Sequence, residues 1–396
     1  MNDTQAKYPQ LRFKGFADPW EQCKLGDVAK ITMGQSPNSK NYTDNPKDHI
    51  LVQGNADMKD GQVHPRIWTT EITKIADKGD LILSVRAPVG DIGKTSYDVV
   101  IGRGVAAIKG NEFIFQLLKR MKTVGYWTKY STGSTFESIN SLEINNAVIN
   151  LPKEHEQNKV GKILSYMDHA ITLHEEKKRQ LERLKSALLQ KMFADKSGYP
   201  VVRFEGFSDE WEERKLGDAV SISSGVTGDA TLQDGEYRLT RIESISQGTL
   251  NVARLGFTNK KPDQKYLLNL GDILYSNINS LSHIGKVALV DTTGIYHGIN
   301  LLRFQMRNDV DSEFLFQRLN TTPMKNWAVS HANPAVSQAS INQTELSKQP
   351  ISLPTITEQQ KIGSFFKQLD DTIALHQRKL DLLKEQKKGF LQKMFV

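Results

Sequence analysis

Two stretches of this chain are near copies of each other, and they constrain its fold more than any other feature of the sequence. Residues 8–28 read YPQLRFKGFADPWEQCKLGDV and residues 199–219 read YPVVRFEGFSDEWEERKLGDA, so 13 of 21 positions are identical at an offset of 191. A second pair, residues 151–193 and 353–395, matches at an offset of 202, and both segments end in QKMF. The chain is therefore predicted to be a tandem duplication with a period far longer than that of solenoids or propellers.

A weaker match joins these two at an offset of 192, where Gly79, Asp80, Ser84, Gly93 and Lys94 recur as Gly271, Asp272, Ser276, Gly285 and Lys286. Elsewhere between the matched ends the halves diverge. The matched segments are expected to form a shared scaffold, and the segments between them differ. This pattern predicts two binding sites of different specificity.

Each half ends in a segment typical of a long helix. Residues 156–192 contain no proline and are rich in strong helix formers. Apolar residues recur there at alternating steps of three and four, the spacing of a coiled-coil seam. The predicted packing residues are Leu164, Met167, Ile171, Leu181, Leu188 and Met192, and in the second half Phe366, Leu369, Ile373, Leu380, Leu383, Phe390 and Met394.

Four polar residues occupy equivalent places in the two seams. His174 matches His376, and Lys185 matches Lys387. We interpret them as residues that set the helix register or extend to solvent. A pH switch at the histidines is the alternative interpretation.

The predicted fold class is α/β (α+β), with two tandem domains that are each followed by a long helix. The two helices are expected to pair as an antiparallel coiled-coil spacer in a pseudo-two-fold arrangement. The predicted boundaries are 1–152 and 197–354 for the domains and 153–196 and 355–396 for the helices. Within the domains, strands are predicted at 79–84, 101–108, 271–276 and 299–304, and helices at 112–121 and 312–319.

Composition favours an anionic partner and excludes several classes of protein. The formal net charge is +7, which is typical of nucleic-acid binding. No run of apolar residues is long enough to span a membrane, and the first ten residues lack the apolar core of a signal peptide, so we expect a cytoplasmic protein. Because Cys23 is the only cysteine, an intrachain disulfide and a cysteine-rich zinc site are excluded.

Motifs for catalysis are not found. Gly93-Lys94-Thr95 lacks the earlier glycine of a phosphate-binding loop, and no glycine-rich cofactor loop, HExxH or GxSxG sequence occurs. We therefore predict no catalytic residue and no metal site in this chain.

The shared motifs resemble those of specificity subunits of type I restriction-modification enzymes. They are the repeated KLGD, the strands of pattern GD-(I/L)-(I/L)-x-S, the helix starts of pattern LP-x-x-x-EQ-x-K-(I/V)-G, and the QKMF endings. The resemblance covers essentially the whole chain in the right order. It implies a non-catalytic DNA-binding subunit in which each domain reads one half of an asymmetric, split target.

The resemblance also implies partners and cofactors. Two methyltransferase subunits would use S-adenosylmethionine to methylate adenine, and two restriction subunits would use ATP and Mg²⁺. None of these cofactors is expected on this chain, whose own partner would be double-stranded DNA.

The seam from Leu164 to Met192 is roughly 42 Å long at 1.5 Å per residue, the length of about 12 base pairs of B-DNA.

Candidate DNA-contacting residues are polar side chains in loops of each domain, where groove contacts need donors and acceptors. In the first domain they are Gln35, Ser36, Asn38, Lys40, Arg86, Arg103, Ser131, Thr132, Ser134 and Thr135, and in the second Thr227, Arg241, Asn277, Asn279, Ser282, His283, Asn300, Asn333, Ser337 and Gln338. The matched aromatic pairs Phe13/Phe204 and Trp20/Trp211 are expected in the core or at a partner interface.

Three alternatives stay open. The chain could be a stand-alone two-domain DNA-binding regulator, although no helix-turn-helix is evident. It could be a coiled-coil adaptor that does not bind DNA. It could also be an enzyme with an unrecognised site, which would turn over alone with S-adenosylmethionine or a divalent metal.

Overall fold

A computed structural model describes residues 8–130, 138–194, 197–229, 231–246, 248–333 and 338–396. The chain divides into two units: the first contains Met1–Glu175 with Arg378–Val396, and the second contains Glu176–Gln377. The sequence suggested four consecutive parts, with each helix following its own domain. The contacts instead divide each long helix between the two units.

The first unit is built mainly from short strands with few helices. Its strands are β1 (Glu21–Lys24), β2 (Ile31–Met33), β3 (Tyr42–Thr43), β4 (His49–Val52), β5 (Met58–Lys59), β6 (Gln62–Val63), β7 (Ile67–Thr69), β8 (Ile75–Ala76), β9 (Leu81–Ser84), β10 (Ile92–Lys94), β11 (Val99–Ile101), β12 (Val105–Ile108) and β13 (Val148–Leu151). Its helices are α1 (Leu25–Val28), α2 (Glu112–Thr123), α3 (Ser141–Asn145) and the start of α4 (Glu154–Lys191).

The strands of the first unit form a six-stranded sheet in the order β2-β12-β9-β10-β6-β5 and a five-stranded sheet in the order β3-β7-β4-β11-β8. Because successive strand residues point to opposite faces, the central strand β9 contributes to two cores. Leu81 and Leu83 pack in one core with α2, whereas Ile82 packs in another with Val52 and Ile101.

The second unit repeats this plan with different additions. Its strands are β14 (Glu212–Lys215), β15 (Val220–Ser224), β16 (Tyr237–Leu239), β17 (Ile245–Ser246), β18 (Thr249–Leu250), β19 (Gly256–Thr258), β20 (Ile273–Tyr275), β21 (Ile278–Asn279), β22 (Val287–Leu289), β23 (Ile295–Tyr296), β24 (Leu302–Met306), β25 (Ala339–Ser340) and β26 (Pro350–Leu353). Its helices are α5 (Leu216–Ala219), α6 (Ser312–Leu319), α7 (Thr322–His331), α8 (Gln343–Leu346) and most of α9 (Ile356–Lys393).

The six-stranded sheet of the second unit has the order β15-β24-β20-β22-β18-β17, which matches the first unit strand for strand. The second sheet differs, since it has three strands in the order β19-β16-β23. The second unit also pairs β21 with β25. The duplication has therefore preserved one sheet and altered the structure beside it.

The two long helices run antiparallel within each unit. In the first unit Asp168 and Glu175 on α4 form ion pairs with Lys387 and Lys384 on α9, so one residue number rises while the other falls. In the second unit the Lys185 ammonium lies 2.6 Å from the Asp370 carboxylate, and the Phe193 ring centroid lies 5.9 Å from that of Phe366. The expected antiparallel pairing of the helices is confirmed.

The repeated motifs join each helix to its domain. The Arg12 guanidinium donates two hydrogen bonds of 2.7 and 2.8 Å to the buried Glu156 carboxylate at the start of α4. Arg203 donates to Glu358 at the same two distances. A bidentate pair inside each unit thus explains why the arginine of the RFxGF motif and the glutamate of the EQ motif recur in both repeats.

The QKMF endings fill the core of the unit formed by the other repeat. Met394 and Phe395 are buried in the first unit, where the Phe395 ring centroid lies 5.1 Å from that of Phe113 and 6.2 Å from that of Trp20. Phe193 occupies the equivalent place in the second unit, with its ring centroid 5.3 Å from that of Phe314.

Two predicted strands are corrected by the structure. The segment 101–108 is interrupted by a turn at Arg103 and Gly104, so that it forms the end of β11 and all of β12. A Cβ on Gly104 would lie 2.0 Å from the Gln53 carbonyl oxygen, which requires glycine at this turn. The segment 299–304 begins with a turn in which Asn300 has a φ of 71°, so the strand starts only at Leu302.

Candidate nucleic-acid interface

The loops that follow several strands of the first unit converge on a polar pocket of 340 Å³. Ser36 lies after β2, Arg86 after β9, and Arg103 in the turn between β11 and β12. The lining is completed by Tyr42, Gln53, Gly54, Asn55, Ser84, Ala87 and Gly104. Three residues selected from the sequence are therefore brought together, although they are far apart in the chain.

The pocket is basic. Arg86 and Arg103 are exposed, and within the described residues neither forms an ion pair with a carboxylate. The Ser36 hydroxyl accepts a hydrogen bond of 3.2 Å from the Arg103 backbone N–H, which fixes that turn. Two solvated guanidinium groups beside amide and hydroxyl donors form an arrangement that can bind a phosphate or a base edge.

The adjoining loop from Gly34 to Lys40 is held in place by Glu71. The Glu71 carboxylate accepts hydrogen bonds of 2.7 Å from the Asn38 backbone N–H and from the Asn41 side chain, and these bonds lower the pKa of Glu71. The Asn38 side chain accepts from the Lys40 N–H and caps a short 3₁₀ turn. Gln35 and Lys40 are exposed on this ordered loop.

A second polar pocket, of 350 Å³, lies in the second unit. Its lining includes three sequence-selected residues: Thr227 after β15, Arg241 after β16, and Asn300 before β24. Arg241 is half-buried, and its guanidinium donates to the Asp229 carbonyl oxygen at 3.5 Å. This pocket has one guanidinium where the first has two, and it adds the carboxylate of Glu243.

The remaining selected residues of the second unit lie outside this pocket. Asn277 is only 9% exposed, and its amide donates to the Ile341 carbonyl oxygen at 3.1 Å, so it belongs to the interior rather than to an accessible loop. Asn279 is half-buried and donates to Ser276. Ser282 and His283 are exposed and share hydrogen bonds with Ser280.

Two further selected residues are exposed near β25. Asn333 lines a small pocket of 280 Å³, and Gln338 immediately precedes the strand. The last group falls outside the described residues and consists of Ser131, Thr132, Ser134, Thr135 and Ser337.

Sequence reasoning missed Tyr42, Gln53 and Asn55 in the first pocket. Gln53 and Asn55 follow β4, whose four residues are too short a run to identify as a strand without its partners. The close approach of the chain segments that build this pocket is seen only in the structure. A Cβ on Gly34 would lie 2.1 Å from the Gly102 carbonyl oxygen, so glycine is needed where these two segments meet.

The predicted seam residues lie on the buried or half-buried side of both helices. Leu164 and Met167 are buried on α4 and Met192 just after it, and Phe366 and Leu380 are buried on α9 and Met394 just after it. The half-buried members are Ile171, Leu181, Leu188, Leu369, Ile373, Leu383 and Phe390, together with His174 and His376. Trp20 and Trp211 are buried in the two cores, with Phe13 and Phe204 packed against them.

The two polar seam positions that carry lysine are linked to the globular domains. The Lys185 ammonium and the Gln317 amide both donate to Asp370, and the Lys387 ammonium and the Gln116 amide both donate to Asp168. Burial acts to raise the pKa of Asp168, but the ammonium groups of Lys119 and Lys387 and the Gln116 amide outweigh it, so this pKa is lowered. In each unit these contacts join both long helices to a helix of the globular domain, α2 in the first unit and α6 in the second.

The described part of the chain has neither a membrane-spanning helix nor a cluster of metal ligands. None of its helices is long and apolar enough to cross a membrane. Its histidine, cysteine and carboxylate side chains form no group of three or more that could hold a metal ion.

Comparison with known proteins gives a consistent family. The family model described as "Type I restriction modification DNA specificity domain" matches residues 17–183 and 208–385. The "Putative type I restriction enzyme MjaX specificity subunit" of Methanocaldococcus jannaschii is 36% identical over 48% of this chain and 46% of its own length. The MjaIX specificity subunit of that organism is 22% identical over 63% of each chain, and the MjaVIII specificity subunit is 21% identical over 94% of this chain and 91% of its own.

The chain thus spans less than half of the first of these relatives and under two thirds of the second. Among solved structures, the S subunit of a type I restriction-modification system from M. genitalium superposes with a TM-score of 0.67 at 16% identity, over 98% of this chain and 99% of that one. At this identity the likeness shows the fold. The two family matches, one in each repeat, carry the assignment: this chain belongs to the DNA specificity subunits of type I restriction-modification systems.

Proposed function

We propose that the two globular domains read the two halves of an asymmetric, bipartite DNA target. The observation that carries this proposal is the contrast between the two polar pockets. Each lies beside the six-stranded sheet of its own unit, and the two sheets have the same strand order. One pocket offers Arg86, Arg103 and Ser36, and the other offers Arg241, Thr227 and Asn300. A shared frame with different donors suits two readers that recognise different base sequences.

The first pocket is suited to guanine or to a phosphate. Arginine commonly donates two hydrogen bonds to the O6 and N7 atoms of guanine in the major groove, and it also neutralises phosphates. Arg86 and Arg103 need not break an ion pair with a described carboxylate before they contact DNA. The second pocket, with one half-buried guanidinium and Glu243 at its edge, is less basic and can accept a hydrogen bond from a cytosine amino group.

The long helices are proposed to set the gap between the half-sites and to dock two methyltransferase subunits. Polar residues and ion pairs at single seam positions can specify helix register, and Lys185–Asp370 and Lys387–Asp168 are partly buried pairs of this kind. A fixed register makes the length of the spacer constant, on the order of 12 base pairs for the seam as counted above.

The assembly would gain its chemistry from other chains. Two methyltransferase subunits would supply S-adenosylmethionine-dependent adenine methylation, and two restriction subunits would supply ATP- and Mg²⁺-dependent translocation and cleavage. This chain would bind DNA and these subunits and would itself bind none of the three cofactors.

The experiment that tests the proposal is mapping of adenine methylation across a genome after this chain is co-expressed with the methyltransferase subunit encoded beside it. We expect a split motif that appears only when both chains are present. Alanine at both Arg86 and Arg103 should change or remove one half of the motif and leave the other half intact. Lys14→Ala is the matched control, because Lys14 is an exposed cation of the same unit that does not line the pocket.

Three other outcomes would reject the proposal. Methylation that is unaffected by this chain, together with salt-dependent DNA binding by the chain alone, would favour a stand-alone regulator. The absence of DNA binding even with partners present would favour a coiled-coil adaptor. Turnover by the isolated chain with S-adenosylmethionine or a divalent metal would favour an enzyme.

A further inference from the structure

Another cavity lies away from both polar pockets. It has a volume of 790 Å³ and lies in the second unit, between the end of α4, the start of α7 and the strand β26. Apolar walls are supplied by Leu189, Phe193, Pro323, Met324, Trp327 and Pro350. The volume falls within the range of small-molecule sites, and walls of this kind accommodate an apolar, planar body.

One charged side chain in this cavity is buried without a counterion among the residues that the structure describes. Arg318 is 7% exposed, lines the cavity, and has a buried Nε atom without a hydrogen-bond acceptor. No carboxylate among the described residues forms an ion pair with it; Glu213, which also lines the cavity, is exposed. Burial lowers the pKa of Arg318 to about 10, which still leaves the guanidinium charged at neutral pH.

Phe193 compensates this charge only in part. The Arg318 guanidinium carbon lies 5.8 Å from the Phe193 ring centroid, which permits a cation–π interaction. Such an interaction is weaker than the desolvation penalty of a buried ion. A buried cation without a counterion in the described part of the chain is a natural partner for an external anion.

The first unit shows that the position of Arg318 does not need a cation for folding. Gln116 and Gln317 are equivalent, since each donates a 2.9 Å hydrogen bond to the matching aspartate of the long helix. The next residue is Leu117 in the first unit, where it is buried in the apolar core, and Arg318 in the second. The second unit has therefore placed a charge where the common frame accepts leucine.

We propose that this cavity binds a small amphipathic monoanion, with the carboxylate on Arg318 and an apolar, planar body against Phe193, Met324 and Trp327. A single cation among the lining residues matches a single negative charge better than a phosphate dianion. The Asn326 amide and the Ser352 hydroxyl line the same cavity and can donate to the anion. The same chemistry could be presented by a free metabolite or by a carboxylate of a partner subunit.

Binding of defined probes to the full chain tests this site. In isothermal titration calorimetry, indole-3-acetate should bind saturably, and at least about tenfold more tightly than the neutral indole-3-acetamide, because a hydrogen bond to a buried charged group is stronger than one between neutral groups. Arg318→Leu should remove the preference for the acid, and Arg318→Lys should retain part of it. Leu117 is the precedent that leucine fits this position, so Arg318→Leu is expected to fold with an unchanged or higher Tm.

Hydrogen exchange of the unmodified chain provides a second readout that does not depend on a variant. Indole-3-acetate should protect amides in residues 318–327 and 186–194 and leave the first unit unchanged. The site is rejected if no saturable binding occurs, if acid and amide bind equally, or if protection appears elsewhere.

Repeating the titration on the complex with the methyltransferase subunit distinguishes the two sources of the anion. Retained binding identifies a free small molecule as the occupant. Loss of binding, combined with weaker assembly of Arg318→Leu, identifies a carboxylate of the partner subunit. Loss of binding with normal assembly of Arg318→Leu would contradict the proposal for the assembled enzyme. The bipartite reading of DNA does not depend on these results.

Discussion

Replacing Phe395 with alanine should destabilise the first unit, although Phe395 belongs to the second repeat. The side chain is 3% exposed and packs against Phe113 and Trp20. Truncating a buried phenylalanine to alanine costs roughly 3–5 kcal/mol. That is a large part of the roughly 5–15 kcal/mol that stabilises a folded domain, so the first unit should be close to unfolding.

Hydrogen exchange followed by mass spectrometry measures this loss unit by unit. Amides of α2 that exchange through unfolding of the unit should lose roughly a hundred- to several-thousand-fold in protection, since about 1.4 kcal/mol corresponds to a factor of ten. Amides of α6 in the second unit should be unaffected.

The chain supplies a matched control for this experiment. Phe193→Ala removes the equivalent side chain of the first repeat and should expose α6 rather than α2, because Phe193 packs against Phe314. Leu382→Ala removes an apolar side chain of α9 that is 54% exposed and should change neither. If Phe395→Ala lowered protection in α6, or in neither helix, the exchange of the QKMF endings between units would be refuted.

Three other predictions follow from single contacts. Gly161→Ala should lower the free energy of unfolding measured in urea, because a Cβ on Gly161 would lie 2.9 Å from the Phe113 backbone nitrogen. Gly389→Ala should instead raise this free energy by about 0.5–1 kcal/mol, because a Cβ on Gly389 would have no atom within 4 Å and alanine favours the helix. Burial lowers the pKa of His297 to about 4, below the ordinary histidine value of 6.5. As the pH falls, the unfolded chain therefore binds this proton before the folded chain does. The free energy of unfolding should drop by about 2 kcal/mol between pH 7.5 and 5. That slope should be absent in His297→Gln and present in a variant of the exposed His283. Affinity for DNA should be measured over a range of salt concentrations for Arg86→Ala and for Arg103→Ala. If the replaced side chain contacts a phosphate, the slope of log affinity against log salt concentration should fall by about 1 in that variant.

The frame of this protein was predictable because it is encoded twice. A heptad seam repeated at a fixed offset specifies two helices, and the observed α4 and α9 begin and end close to the predicted residues. Matched glycine and aspartate residues before β9 and β20 likewise identified the central strands of both sheets.

The partner of each helix end was not predictable. Periodicity describes one helix at a time and does not indicate which core receives Phe193 or Phe395. That choice depends on tertiary contacts between residues separated by hundreds of positions. The turn at Arg103 and Gly104 was missed for a related reason. The run from Ile101 to Ile108 is apolar enough for one strand, and only the close approach of Gly104 to the Gln53 carbonyl oxygen requires a break.

The two repeats also separate residues that maintain the fold from residues that carry function. Positions that match between the repeats, such as Arg12 with Arg203 and Glu156 with Glu358, are explained by contacts inside each unit. Substitutions at these positions should therefore disturb folding whatever DNA sequence is read.

The residues that differ between equivalent positions have no such role in the frame, since the other repeat folds without them. Arg86 and Arg103 beside one sheet, Arg241 and Asn300 beside the other, and Arg318 in place of Leu117 all belong to this class. A buried or pocket-lining charge that its own duplicate lacks costs stability or leaves donors unused unless something outside the chain binds it. In a duplicated protein, comparison of the two halves therefore locates candidate functional groups without any other sequence, and it points here to the two polar pockets and to the cavity beside Arg318.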